Sequence, residues 1–549
     1  MAEDTKTDQS EYRFKAYRPE RSVKLPPCRA NCPSGTPVRD WIAEIAQVPR
    51  DEAGRHGAYE RAWRLLVQSN PFPATMGRIC PHPCEDQCNR GEKDGAVAVN
   101  ALERFLGDWA IEQGCSLPVE APAYREESIG VIGAGPAGMS FAYQMCRLGY
   151  PVTVYERHPL PGGMLRYGVP EYRLPRRILD AELNRIFDLG VVLIAPVRIG
   201  VDIRIAELQS RHRALFLGLG AQHGRHLGIP GEHGEHVWSG VDFLERVNSG
   251  TSPSLGDHVI VVGGGNTAID AARIARRTGA SVTLLYRRCR EDMPAIGEEV
   301  DAAVEEGVAI DFLTTPISLI HSDTGTLTGV RVQRLQVDGS DEHGRSKVKP
   351  LPGSARVLLA STLITAVSQE PDWTGCETLS KVPGIGPQEL LQVQDGPILT
   401  AGGDLTGLDL ASHAIGQGRA AAEAVHAQLR GLVSVSSPPG DAARVQPDHY
   451  PVADRVRLPL TPVARRLADP RQESSGTIDE ESFLREVSRC FSCGLCNGCS
   501  LCWMYCGGSG FIRLESSRPG HYFAFSTDEC TGCGKCIELC PTGYVSEAP

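Results

Sequence analysis

The chain has 549 residues, 41% of them hydrophobic, and a formal net charge of −11. Such a length exceeds one hydrophobic core, so about three or four domains are expected, and the acidic balance speaks against nucleic acid as a partner. No run approaches the roughly eighteen apolar residues of a membrane span. The polar start MAEDTKTDQS does not read as a signal peptide, and nineteen cysteines without one point to the reducing cytoplasm and to metal ligation rather than disulfides.

Residues 1–20 are polar and read as loose. Helical patterns such as VRDWIAEIA and YERAWRLLVQ follow, accompanied by Cys28, Cys32, Cys80, Cys84 and Cys88. From 126 to 430 apolar strand-like runs alternate with helical patterns, as in stacked β-α-β units. The stretch IGVIGAGPAGMSFAYQMCRLGYPVTVYE predicts strand, glycine turn, helix and second strand. Its Gly133, Gly135 and Gly138 are spaced for a tight turn, for approach to a pyrophosphate and for close helix–strand packing. The phosphate would rest on the helix N-terminus. Glu156 ends the second strand, where a carboxylate accepts from a ribose diol.

HVIVVGGGNTAIDAARIARRTGASVTLLYRR repeats the plan with Gly263, Gly265 and Ala268. No acid follows its second strand; Arg287 and Arg288 do. Guanidinium groups there suit a 2′-phosphate, which favours NADPH, with NADH possible if they are ordinary surface charge. Two such sites in one chain imply a flavin on one and a nicotinamide on the other. A later strand–turn–helix, ILTAGGDLTGLDLASHAIGQGRAAAEAV, presents Asp404 for ribityl hydroxyls and a helix N-terminus near Ala414 for the isoalloxazine. His413 beside it reads as an ordinary surface histidine. The first nucleotide unit is therefore expected to be completed by sequence on both sides of the second. Hydride transfer needs no dedicated acid or base, so no catalytic side chain is assigned. Cys146, Cys289 and Cys376 have no near neighbours in sequence, which disfavours disulfide reduction.

Residues 431–475, rich in Pro, Ser and Arg, read as a linker. Ten of the nineteen cysteines then fall between Cys490 and Cys540. Two runs have the form C-x2-C-x2-C-x3-C, the spacing in which three thiolates hold a cubane and the fourth crosses to the other cluster. Cys496, Cys499, Cys502 and Cys540 are expected to hold one 4Fe–4S cluster, and Cys530, Cys533, Cys536 and Cys506 a second. Zinc sites prefer two C-x2-C knuckles across a longer gap.

The stretches GRICPHPCEDQC, VIGAGPAGMSFAYQM, PGGMLRYGVPEYRLP, GIPGE, VVGGGNTAIDAARIARRTGA, LLYRRCREDMPA and AGGD…AIGQGRAAA together resemble the glutamate synthase small-subunit family of NAD(P)H-dependent iron–sulfur flavoproteins. The N-terminal half of dihydropyrimidine dehydrogenase belongs to the same family. The resemblance implies a multidomain α/β chain. Its parts would be a helical N-terminal Fe–S domain (1–125), an FAD-binding Rossmann-like domain (126–245 and 375–430), an inserted NAD(P)H-binding domain (246–374), the linker (431–475) and an α+β bacterial-ferredoxin-like domain (476–549).

FAD would touch Gly133, Gly135, Gly138, Glu156, Gly163, Met164, Leu165, Arg173, Asp404 and the turn Ile415, Gly416, Gly418. NADPH would touch Gly263, Gly265, Asn266, Thr267, Arg287 and Arg288. The appended ferredoxin module is similar to that of oxidoreductases serving a protein partner: a 2-oxoacid:ferredoxin oxidoreductase, a ferredoxin or a sulfite reductase. A glutamate synthase small subunit and a non-enzymatic electron-transfer scaffold are the alternatives.

The family's N-terminal domain carries two 4Fe–4S clusters, with a first segment C-x2-C-x4-C-x3-C-P. Here only Cys28-x3-Cys32-Pro33 remains. The resemblance assigns Cys32, Cys80, Cys84 and Cys88 to one cluster, and leaves Cys28 and Glu103 two ligands short for the other. Cys490 and Cys493 repeat the missing RC-x2-CG and are unused by the ferredoxin pair. They are expected to fold back and complete it, giving three to four clusters in all.

Overall fold

The computed structural model describes residues 19–21, 24–47, 52–120, 124–342, 344–380, 390–392, 396–403, 410–432 and 445–547. Asp404 lies outside them. The strand Ile129–Ile132 is buried at every position, as a strand covered on both faces must be. It sits inside a six-stranded sheet whose order is Leu391–Gln392, Ile398–Ala401, Ala214–Leu217, Ile129–Ile132, Val152–Tyr155, Val192–Ile194. All neighbours are parallel except the Leu391–Gln392 edge. Strands from both sides of the second nucleotide unit thus share one sheet.

The second unit is a five-stranded parallel sheet in the order Ala309–Phe312, Ser281–Tyr286, His258–Val262, Thr362–Thr365, Val237–Ser239. An antiparallel sheet of Thr314–His321, Leu327–Ser340, Ser346–Pro350 and Arg356–Leu359 interrupts it. The chain enters and leaves this unit side by side, on the antiparallel pair Ala221–Gly224 and Gln369–Pro371. The unit therefore begins before the expected boundary at 246. Its edge strand Val237–Ser239 has three half-buried residues, too short for a period to show.

In the N-terminal domain the helices Pro73–Ile79 and Val99–Glu112 cross with almost no gap. A Cβ on Gly77 would collide with Arg104, and one on Gly107 with Ala74. Trp41, Tyr59, Trp63 and Phe72 fill the core beside them. That core also takes in the helix Glu480–Ser488. Phe483 is fully buried, stacked on Phe105 at 4.1 Å and edge-on to Tyr59 at 5.4 Å. The strand Val545–Glu547 pairs antiparallel with Pro19–Arg21, so the two ends of the chain form one ribbon.

Residues 445–475 are a strap, not a solvated linker. Fully buried Glu306 accepts from Arg273 Nη2 at 2.6 Å, from Arg277 Nη2 at 2.7 Å and from the strap's Arg466 Nη1 at 3.3 Å. Ser474 Oγ accepts from Arg273 Nη2 at 2.9 Å, and Glu473 pairs with Arg104 at 2.7 Å. The polar composition that resembles a linker is spent on buried charges of two domains.

Candidate redox centres

The first fingerprint opens a cleft of about 890 Å³. Gly133, Gly135, Glu156, Gly163 and Met164 lie on its wall. Gly133 has φ +98°, and a Cβ there would collide with the Gly218 carbonyl. A Cβ on Gly163 would come within 2.8 Å of Gly135 Cα. Gly138 packs its helix against the Gly133 carbonyl. Glu156 is buried and accepts from Ala134 N at 2.7 Å and His158 N at 2.8 Å. A backbone cradle beside a strand-end carboxylate is the form an adenine dinucleotide requires.

Several residues expected at the flavin are elsewhere. Leu165 is buried in the core and is not on the cleft wall. Arg173 is paired with Asp270 of the second unit at 2.8 Å, because a buried guanidinium needs a partner and a buried carboxylate lies opposite. In the helix Ala411–Arg430 it is Ala414 that lines the cleft. Ile415 is core, Gly418 lets this helix touch the helix Pro136–Arg147 at Ala137, and Gly416 lets it touch Pro33.

Sequence reading missed the far wall, where Gly218, Gly220 and Gln222 follow the strand Ala214–Leu217 and Asp372 faces Arg157 and Arg198. A glycine pair directly after a buried strand was the available signal. Burial raises the Asp372 carboxyl, but hydrogen bonds from Thr374 and His223 outweigh it and hold the group near about 2.

At the second fingerprint Gly263 ends the strand His258–Val262, and a Cβ there would collide with the Ala366 carbonyl. Gly265 caps the helix Asn266–Arg277. Asn266 Oδ1 accepts from Ile296 N at 3.0 Å, and Thr267 Oγ1 from Gln369 Nε2 at 3.3 Å. Arg287 is exposed at the end of the strand Ser281–Tyr286. Arg288 instead donates its Nε to the Ser346 carbonyl at 2.9 Å. The two arginines are not equivalent.

The sixteen expected metal ligands gather into four groups. Cys32, Cys80, Cys84 and Glu103 line one cavity together with Ser412. Cys28, Cys88, Cys490 and Cys493 line another. The expected partition is therefore exchanged at two positions: Cys88 stands with Cys28, and Glu103 with Cys32. The physical reason lies in two short helices. Cys28 lies in Pro27–Ala30 with Cys32 just past its end, and Cys84 lies in Pro83–Asp86 with Cys88 just past its end, and each x3 pair divides between both cavities.

Cys496, Cys499, Cys502 and Cys540 line a third cavity. Around Cys536 the charges of Cys530, Cys533 and Cys506 converge after burial, pushing its thiol up to about 11. Cys533 is exposed. The thiols ring voids and do not converge on a point: among the described residues no three His, Cys, Asp or Glu are placed to hold a single ion.

Desolvation is the largest cause at Cys28, Cys80, Cys490 and Glu103 of the N-terminal cages. Burial raises the Cys28 thiol well above its usual value, and Cys490, Cys493 and Cys88 raise it further. Burial pushes Cys490 up to about 12, and Cys80 likewise. Burial also lifts the Glu103 carboxyl to about 8 against a 2.7 Å hydrogen bond from Asn70 Nδ2. Burial favours the neutral form of Cys28, Cys80 and Cys490, and a cationic body that replaces the lost water reverses that preference, which is what an iron–sulfur cluster supplies.

The cavities adjoin one another. One helix places Ala414 on the cleft and Ser412 on the Cys32 cavity. Val38 and Val99 line both N-terminal cavities. The Tyr450 hydroxyl donates to the Phe491 carbonyl at 2.7 Å and accepts from Asn497 Nδ2 at 3.4 Å, which places it between the second cage, lined by Phe491, and the third, lined by Asn497.

Two dinucleotide units in one chain, the first opening on a cleft that adjoins cysteine cages, define an FAD- and NAD(P)H-dependent iron–sulfur oxidoreductase. Comparison with known proteins agrees with that class. Residues 127–418 match the pyridine nucleotide-disulphide oxidoreductase family, 5–115 the 4Fe-4S domain II of dihydropyrimidine dehydrogenase, and 495–544 a 4Fe-4S dicluster domain. The NADPH-Fe(3+) oxidoreductase subunit beta of Geobacter sulfurreducens is 37% identical over 352 residues, 63% of this chain and 51% of that protein. The NADP(+)-dependent formate dehydrogenase subunit beta of Moorella thermoacetica is 33% identical over 512 residues, 85% of this chain and 70% of that one. The small chain of the NADPH glutamate synthase of Azospirillum brasilense is 32% identical over 438 residues, 74% and 87% of the two chains. The chain belongs to the pyridine nucleotide-disulphide oxidoreductase family, in the branch that carries iron–sulfur domains and includes glutamate synthase small chains. It spans about half the length of the Geobacter relative. Among the described residues no helix is long and apolar enough to cross a membrane.

Proposed function

We propose that this chain is the NADPH-linked subunit of a larger redox complex, exchanging electrons between NADP(H) and a protein partner, in either direction. FAD would take or return the hydride, and the 4Fe–4S clusters would carry single electrons, chemistry that belongs to the cofactors. The chain's own residues bind, orient and exclude water. Gly133, Gly135, Gly163 and Met164 would seat FAD against Glu156, and Gly263, Gly265 and Arg287 would seat NADPH.

The observation that carries the reading is the succession from the cleft to the third cage: Ala414 and Ser412 on one helix, then Val38 and Val99 on both N-terminal cavities, then the Tyr450 hydroxyl bridging Phe491 of the second cage and Asn497 of the third. A disulfide reductase would need a second cysteine beside Cys376, the one cysteine on the cleft wall among the described residues. The dicluster domain favours a partner such as a 2-oxoacid:ferredoxin oxidoreductase, a ferredoxin or a sulfite reductase over a glutamate synthase large subunit. Nineteen cysteines, fifteen of them gathered in metal cages, suit the reducing cytoplasm.

Anaerobic mixing with NADPH is the test. Bleaching of the flavin absorbance, followed by cluster reduction, is expected. A flavin that stays oxidised under both NADPH and NADH would refute the reading and favour an idle electron-transfer scaffold. Co-purification of the native complex then identifies the partner.

A further inference from the structure

We propose that Cys28, Cys88, Cys490 and Cys493 hold a single 4Fe–4S cluster whose ligands come from opposite ends of the chain, so that metal staples the C-terminal extension onto the N-terminal domain. The matched 4Fe–4S regions cover 5–115 and 495–544, and neither includes Cys490 or Cys493. The inference concerns ligation and does not rest on the direction or destination of electron flow.

Three observations carry it. The first is the composition of the cavity. Its wall holds these four cysteines and no histidine, aspartate or glutamate; the remainder is apolar apart from Arg39, Asn89 and Arg90. Four thiolates are the complete donor set of a cubane, and two guanidinium groups suit the negative charge that four thiolates leave on it.

The second observation is the turn at Cys490. Two residues on, Ser492 takes a left-handed conformation with φ +53°, and its N–H donates to Cys490 Sγ at 3.4 Å. A non-glycine residue adopts that conformation at a cost, so something must hold it there. The same device recurs at another cage, where His82 has φ +56° and donates its N–H to Cys80 Sγ at 3.4 Å. Gly498, two residues after Cys496, is left-handed too, at φ +75°. Gly532, two residues after Cys530, is left-handed as well, at φ +71°. Backbone N–H groups aimed at sulfur stabilise cluster thiolates. The Cys490 turn is built as a cluster turn although it lies outside both matched regions.

The third observation is the docking around it. Arg489 is 1% exposed and donates to the Gly95 carbonyl at 2.6 Å and to Asp94 Oδ1 at 3.0 Å. Arg90 donates in return to the Arg489 carbonyl. Arg39 Nη1 donates to the Cys493 carbonyl at 3.0 Å, and Asn89 Nδ2 to Cys493 Sγ at 3.4 Å. Both new ligands are thus held by residues adjacent to, or lining the same void as, the old ones. Because metal binding and folding are coupled, the cage closes only once the C-terminal segment has been made.

The test uses the full chain, purified anaerobically, with iron and acid-labile sulfide counted per flavin. The double variant Cys490→Ser/Cys493→Ser should lose about four iron and about four sulfide, and limited proteolysis should begin to cut the tail ahead of residue 495. NADPH should still bleach the flavin. Unchanged iron overturns the proposal. If the double variant does not fold, Cys88→Ser attacks the same cage from the other end of the chain. It should erase the same reduced-cluster EPR signal as Cys493→Ser alone. Two different signals lost by those two variants overturn the shared cage. Failure of NADPH to bleach the wild-type flavin would sink the proposed function while leaving the iron count untouched.

Discussion

The two C-terminal cages and the two N-terminal cages both gather cysteines, with Glu103 added in one N-terminal cage, but are assembled in opposite ways. The C-terminal pair draws its eight cysteines from the single stretch Cys496–Cys540. Its spacing alone places Cys540 with Cys496, Cys499 and Cys502, as the cavity does. The N-terminal pair draws on four separate pieces: Cys28 and Cys32, Cys80 to Cys88, Glu103, and Cys490 with Cys493. Local spacing is enough when the loop itself wraps the metal. It fails when packing decides which of two cavities each cysteine of an x3 pair enters.

Breaking that comparison begins with the helix Glu480–Ser488, which belongs to the C-terminal segment by sequence and to the N-terminal core by packing. Phe483→Ala should cost about 3–5 kcal/mol, read as earlier thermal unfolding of the N-terminal domain and loss of its cluster absorbance. Cys540→Ala should remove about four iron and leave that unfolding transition where it was. If Phe483→Ala leaves it in place too, the two ends are independent modules.

Glu306→Ala strands Arg273, Arg277 and Arg466 in the interior and should destabilise by about 3 kcal/mol or more. The same carboxyl gives a pH signature. Burial raises it, but hydrogen bonds from Arg277 and Arg273 outweigh that and hold it near about 2. Its folded value lies below the unfolded value of about 4.3. Its contribution is therefore full above about pH 5 and lost as pH falls toward 2. Denaturant titrations at pH 6 and pH 4 should show that dependence in the native chain and not in the variant.

A smaller effect separates the two arginines of the second fingerprint. Arg287→Ala should raise the KM for NADPH about tenfold, or about 1.4 kcal/mol, with NADH unaffected. Arg288→Ala should change cofactor preference less, because its guanidinium is already committed to the Ser346 carbonyl. Equal effects would mean that Arg288 releases its partner when the cofactor binds. The smallest change is expected from Cys146→Ala, since Cys146 lines none of the cages. Its iron content should equal the wild type.

Both glycine fingerprints, the alternation of strands and helices, and the sharing of one sheet across an insertion were legible in sequence, because each is written in runs of neighbouring residues. The residues read wrongly share a different property. Arg173, Ile415, Gly416 and Gly418 sit in the right segments but serve interfaces: Arg173 meets Asp270, Gly418 meets Ala137 and Gly416 meets Pro33. A glycine beside a cofactor and a glycine beside a helix look alike in a string of letters. Residues 445–475 misled for a related reason, since arginine and serine on a strap that neutralises Glu306 have the composition of a solvated linker.

The sequence by itself determined what each segment can hold: dinucleotides on two glycine turns, cubanes on two ferredoxin loops, and spare cysteines at both ends of the chain. Those capacities depend on contiguous residues, whose spacing is fixed by covalent geometry. Tertiary structure alone decided which spare cysteines share a cavity, that Glu103 stands with Cys32 and not Cys28, and that the tail's helix completes the first domain's core. Those outcomes depend on burial, and a side chain leaves water only when distant parts of the chain close around it.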